Sequence, residues 1–142
     1  MGQKVRLIIK GIHNGDSPED EHKVDTECDG ELFESPGSTY VMYQEKHPDF
    51  PMPIKGRIKF REGSIEIHRT GPVVSHMLFE ERKKHLSMYQ TPYGDISIGI
   101  DTKKVTCEKT DDLIKLNAEY VLEFDGEPHA DSSIEICLYL TT

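Results

Sequence analysis

The sequence predicts an all-β protein, an antiparallel up-and-down barrel of about 8–10 strands. Three observations carry that expectation. Apolar and polar residues alternate one by one in run after run, most clearly in Ile96, Ile98, Ile100 and in Ile114, Leu116, Ala118, Tyr120, Leu122, Phe124. Clusters of Gly, Pro, Asn, Asp and Ser punctuate those runs at intervals of about 8–12 residues. Nowhere do apolar residues recur at helical spacing over a long stretch. Consecutive hairpins favour a meander, and a meander of many twisted strands curls and closes, which removes its edges.

The chain is organised around Tyr89-Gln90-Thr91-Pro92-Tyr93-Gly94. Pro92 has no N–H to give a ladder and Gly94 tolerates φ > 0, so the stretch reads as a hairpin corner. In order from the start, residues 4–13 alternate as a strand with Val5, Leu7, Ile9 and Gly11 on one side, and Asn14-Gly15-Asp16-Ser17-Pro18 ends it. The acidic stretch 18–21 reads as mobile. A second strand carries Val24, Thr26 and Cys28 on one face and continues past Gly30 into Leu32-Phe33, up to the turn Glu34-Ser35-Pro36-Gly37. Residues 38–45 form a third. The three prolines of 48–53 forbid regular pairing and make a loop over one end. Strands 54–60 and 64–69 flank the turn Glu62-Gly63, and Thr70-Gly71-Pro72 leads to strand 73–79. Residues 80–84 are a charged connection. Beyond the central hairpin, Val105-Thr106-Cys107 continues a strand past a bulge near Lys103-Lys104. Asp125-Gly126 is a hairpin signal, with 127–129 lengthening the loop before the last inward face, Ile134, Ile136, Leu138 and Leu140.

A chain of 142 residues fits a single domain, 1–142. The longest apolar run, Leu7-Ile8-Ile9, is far too short for a membrane helix, and no signal peptide precedes the first strand, so the expected setting is cytoplasmic with no membrane partner. Seventeen basic against 26 acidic residues leave a net charge of −9, which opposes nucleic acid as a general partner. Lys55, Arg57, Lys59 and Arg61 alternate with Ile54, Gly56, Ile58 and Phe60 and would share one strand face, but no aromatic stands among them on that face to stack bases, and a solvated outer face is the simpler reading. Cys28, Cys107 and Cys137 form no CxxC pair and read as buried free thiols. Seven scattered histidines have no ligand spacing, so neither a metal nor any cofactor is expected. No G-x-S-x-G and no Gly-rich phosphate loop is present.

Parity supplies the one lead toward a site. Arg69 shares a face with Ile65 and Ile67, while Glu45 shares one with Val41 and Tyr43. If those faces are inward, the two charges must meet, because an unpaired buried guanidinium is very costly. The pair either plugs the barrel or clamps a ligand carboxylate or phosphate at its mouth, with Tyr43 and Tyr93 beside it.

The succession Tyr40-Val41-Met42-Tyr43-Gln44-Glu45, Arg69-Thr70-Gly71, Phe79-Glu80-Glu81 and Tyr89-Gln90-Thr91-Pro92-Tyr93-Gly94 resembles the YwiB-like family over most of the chain. That resemblance implies a calycin-like, lipocalin-related β-barrel, a bacterial cytoplasmic setting and no particular reaction. The Pro-rich loop 48–53 departs from the family pattern. The leading functional expectation is a non-enzymatic barrel that binds a small molecule, with Tyr43, Glu45, Arg69, Tyr89 and Tyr93 as the binding residues. The alternatives are a small enzyme built around Arg69, Tyr89 and Tyr93, or a protein-interaction module using the Pro-rich loop. The oligomeric state is not legible.

Overall fold

A computed structural model describes residues 2–14, 22–46, 48–72, 74–91, 94–124 and 127–140. They form ten strands: β1 (Gln3–Asn14), β2 (His22–Ser35), β3 (Ser38–Glu45), β4 (Ile54–Arg61), β5 (Ser64–Thr70), β6 (Val74–Glu80), β7 (Lys84–Thr91), β8 (Gly94–Lys109), β9 (Leu113–Phe124) and β10 (Glu127–Leu140). Each pairs antiparallel with the next, and β1 pairs with β10 from Val5↔Leu140 to Asn14↔Asp131, closing an up-and-down barrel. The expected all-β barrel is the fold.

Period-two alternation explains the filling. In β4 the pattern is strictly buried–exposed, with Ile54, Gly56, Ile58 and Phe60 inward. Successive inward rungs are set by register: Leu32, Val41, Ile58, Ile67 and Met77 lie opposite one another across β2 to β6. The next rung carries Thr39, Phe60, Ile65 and Phe79. From the other side come Leu7, Ile100, Leu116, Ile136 and Leu138, all fully buried. Each such side chain contributes about 1.5–3 kcal/mol relative to exposure. Along β8 to β10, Ile98, Ile100, Ile114, Leu116, Ala118, Tyr120, Ile134, Ile136 and Leu138 are buried as the alternation expects, Leu122 and Leu140 are partly buried, and Phe124 at the end of β9 is exposed. The side chain of Ile96 lies outside the described residues.

The two ends differ. The connections after β2, β4 and β6 are tight, with Gly37 (φ 81°), Gly63 (φ 76°) and Arg82 (φ 65°) in the left-handed region. The turn after β6 is also stitched to β8: Arg82 N–H donates to the Thr102 carbonyl (2.9 Å), and Thr102 N–H donates to that of Lys83 (3.0 Å). The other end carries the connections after β1, β3, β5, β7 and β9. There the Pro-rich loop 48–53 leads into β4 beside the end of β5, its Pro53 carbonyl 3.0 Å from where a Cβ on Gly71 would sit. The acidic stretch 18–21 and the corner residues Pro92, Tyr93, Asp125 and Gly126 lie outside the described residues.

Three expectations need correction. Residues 127–129 do not lengthen the loop after β9. Glu127 already pairs with Phe124, and a bulge between Pro128 and Ala130 absorbs the extra residue. A bulge suits Pro128, which has no N–H for the ladder. Cys107 is exposed rather than buried, because β7 ends at Lys84↔Asp101 and leaves the outer half of β8 without that neighbour. Cys28 is only half-buried, so of the three thiols Cys137 alone is fully buried. The bulge expected near Lys103 is present, between Thr102 and Lys104.

Candidate functional site

One inward rung differs from those beneath it. Val5, Gly30, Tyr43, Gly56, Arg69, Ser75 and Tyr89 lie opposite one another in turn across β1 to β7. It sits on the loop side of the Leu32–Met77 rung, so polar side chains cap an apolar interior. Two glycines flank Tyr43 and give its ring room. A Cβ on Gly56 would lie 2.6 Å from both Cε atoms of the Tyr43 ring, which is why only glycine fits there. Tyr43 is thereby 4% exposed.

Arg69 and Glu45 meet, as parity required. Arg69 Nη2 lies 3.7 Å from Glu45 Oε1, and their side chains are 22% and 15% exposed. That distance is an ion pair without a hydrogen bond. Glu45 Oε1 and Ser75 Oγ are buried and have no hydrogen-bond partner among the described residues, while the buried Tyr43 Oη has the Arg69 guanidinium as its polar neighbour. Ser75 is 1% exposed and stands opposite Arg69. Burial pushes the Tyr43 phenol above its usual pKa; the Glu45 charge adds to this and the Arg69 charge opposes it.

Cys28 belongs to the same neighbourhood. Its thiol is pushed up to about 11, first by burial and then by the Glu45 carboxylate. Sequence reasoning missed both Cys28 and Ser75. Parity places them on inward faces, but only the register reveals that they share an end of the barrel with Arg69. Of the remaining expected site residues, Tyr89 continues the rung in β7 with its side chain outside the described residues, and Tyr93 lies outside them altogether. Among the described residues no group of three or more His, Cys, Asp or Glu side chains gathers as a metal site. Nor do they include a helix long and apolar enough to cross a membrane.

The arrangement can do two things chemically. Arg69 offers donors at the mouth of the barrel, and Glu45 Oε1 offers an acceptor within the same few ångströms. The phenol of Tyr43 and the thiol of Cys28 both hold their protons at neutral pH, so neither is a ready nucleophile.

Comparison with known proteins gives two findings. A family model described as a domain of unknown function (DUF1934) matches residues 8–136. The crystal structure of the ywiB protein from Bacillus subtilis is similar, with a TM-score of 0.84 at 16% sequence identity, covering 99% of this chain and 94% of that one. At that identity the likeness establishes the fold. No curated protein matches the sequence.

Proposed function

The chain belongs to the DUF1934, YwiB-like family, and from that premise we propose that it is a binding protein for a small molecule held at the loop end of its barrel. One observation carries this reading: the buried oxygens of Glu45 and Ser75 have no hydrogen-bond partner among the described residues, and the Glu45 oxygen stands 3.7 Å from the Arg69 guanidinium. Leaving a buried polar group unsatisfied costs about 1–3 kcal/mol. A ligand head group that reaches these atoms would return that loss. The rungs beneath are filled by fully buried side chains, which favours seating at the mouth over the interior.

The chemistry of the site narrows the head group. A bare anion satisfies Arg69 but meets the Glu45 carboxylate in the same place. A head group with donor and acceptor side by side, such as a primary amide or a hydroxyl beside a carbonyl, satisfies both. Tyr89 and Tyr93 are proposed to complete the wall. Binding without catalysis is favoured because the phenol and the thiol nearest the charges are both protonated at neutral pH. Three free cysteines on separate strands support a reducing, cytoplasmic setting.

The test is native mass spectrometry of protein purified without denaturation, beside Arg69→Met and Tyr43→Phe. The second variant keeps the ring and removes only the hydroxyl. Wild type should retain a bound mass that both variants lose while their folded fractions stay high. If wild type carries no bound mass and no amide- or hydroxyl-bearing compound in a thermal-shift panel raises its Tm, the reading is wrong.

A further inference from the structure

We propose that the outer face of β3 and β4, together with the neighbouring end of β2, is a docking surface for single-stranded nucleic acid. Lys55, Arg57, Lys59 and Arg61 alternate with the buried residues of β4, so all four point outward and are exposed. None makes an ion pair with a described residue. Lys10, Lys46, Arg82, Lys104 and Lys109 also lack an ion pair among the described residues, but they are scattered, whereas these four stand in one row. Arg6 is matched to Glu27 and Asp29, Lys84 to Glu123, Lys103 to Asp101 and Lys115 to Glu135. In a chain of net charge −9, acids are abundant, yet the carboxylate beside this row, Glu66 opposite Lys59, is occupied by His76 at 2.9 Å. Alternate residues on a strand stand about 6.7 Å apart, so the row is a ladder of positive charge about 20 Å long.

Along β4 itself the one aromatic between the cations, Phe60, points inward, so the strand offers no ring to a base. The register changes the argument, because adjacent strands supply what β4 lacks. Lys59 lies opposite Tyr40, whose ring stacks on Phe33 with centroids 5.2 Å apart and planes 18° from parallel. Arg57 lies opposite Met42, which is 51% exposed. A hollow of about 770 Å³ opens at the Lys55 end, lined in part by Phe33, Met42 and Gln44. Another, of about 400 Å³, opens at the Lys59 and Arg61 end beside Ser38 and Ser64, and its two carboxylates, Glu66 and Glu80, are engaged by His76 and by Lys83 and His85. Cations at regular spacing beside stacked rings suit a phosphate backbone and its bases. The larger hollow is also lined by Asp29 and Glu31, and Asp29 shares the Arg6 guanidinium with Glu27.

An acidic polypeptide is the other occupant that positive charge would attract. An extended polypeptide gains most of its affinity by adding to a sheet edge. Strands β3 and β4 are paired on both sides and offer no edge. The aromatic stack then favours nucleic acid.

The experiment is fluorescence anisotropy of a labelled twelve-residue oligothymidylate with the full chain, titrated from low to moderate NaCl. Four neutralised phosphates on a single strand give a slope of log K against log salt of about −2.8, a loss of about 50-fold between about 50 and 200 mM salt. The variant Arg57→Gln with Lys59→Gln, both exposed, should keep the fold and reduce that slope by about 1.4. Tyr40→Ala should weaken binding by roughly 5- to 100-fold while leaving the slope unchanged. Circular dichroism checks that each variant is folded. No binding at low salt overturns the proposal. So does binding that polyglutamate abolishes at equal charge and that Tyr40→Ala leaves unchanged, which would identify an acidic polypeptide as the occupant instead.

Discussion

Replacing Gly56 by alanine tests whether the glycine is what seats Tyr43. In an unobstructed strand this change would stabilise by about 0.5–1 kcal/mol, since alanine loses less backbone entropy on folding. Here the new methyl would sit 2.6 Å from both Cε atoms of the Tyr43 ring, against an ordinary contact of about 3.5–4 Å. The ring must retreat by about 1 Å toward solvent, losing burial and its seat beside Arg69. Overpacking and lost burial together should cost about 2–4 kcal/mol. Tyr43→Ala alone should cost about 3–4 kcal/mol as a large-to-small change. The double variant is the decisive one. With the ring gone the methyl meets nothing, so the pair should be no worse than Tyr43→Ala and slightly better. A double-mutant cycle by urea denaturation should therefore show a coupling of about 3 kcal/mol. Gly56→Ala as stable as wild type, or a cycle additive within about 0.5 kcal/mol, would refute the reasoning.

Three further outcomes follow from the same geometry. Glu45→Gln should cost about 1–2 kcal/mol in urea, less than the roughly 3–5 kcal/mol of a fully buried pair, because both partners keep some solvent contact; a larger loss would mean water does not reach them. Gly94 sits at φ 134°, so Gly94→Val should lower stability by about 1–3 kcal/mol, and an unchanged urea midpoint would contradict the hairpin assignment. Cys28, raised from 9.0 to about 11, holds its proton longer folded than unfolded; its contribution to stability is intact below pH 9 and is lost as pH rises through 9 to 11. At pH 8 it should alkylate with iodoacetamide about 100-fold more slowly than a free thiol, and labelling at the rate of glutathione would exclude the shift.

The elements were legible because a strand's period is two: alternation located nearly every strand and, in β4, β9 and β10, the buried face. The Arg69–Glu45 pair was found the same way, from Ile65-Ile67 and Val41-Tyr43. Alternation does not say which residue stands opposite which. Ser75 and Cys28 joined the site only through register, and Tyr40 joined the β4 cations the same way. Hydropathy also misleads in β7, where Leu86 is 81% exposed while Ser87 is buried. There Leu86 and Met88 point outward while Ser87 is buried between them, against the preference that guides such reading.

Closure through β1 and β10 has a consequence for how the molecule is made. Val5 pairs with Leu140, so the contact that seals the barrel joins residues 135 positions apart. During synthesis β2 is available to β1 early, but the other flank of β1 waits until β10 has left the ribosome. Until then, one side of β1 presents open backbone groups and the Val5, Leu7 and Ile9 side chains lack half their neighbours. Topology of this kind folds slowly, because loop closure precedes the contacts that reward it. The interval between those two pairings is when the chain is most exposed to aggregation and most in need of a chaperone.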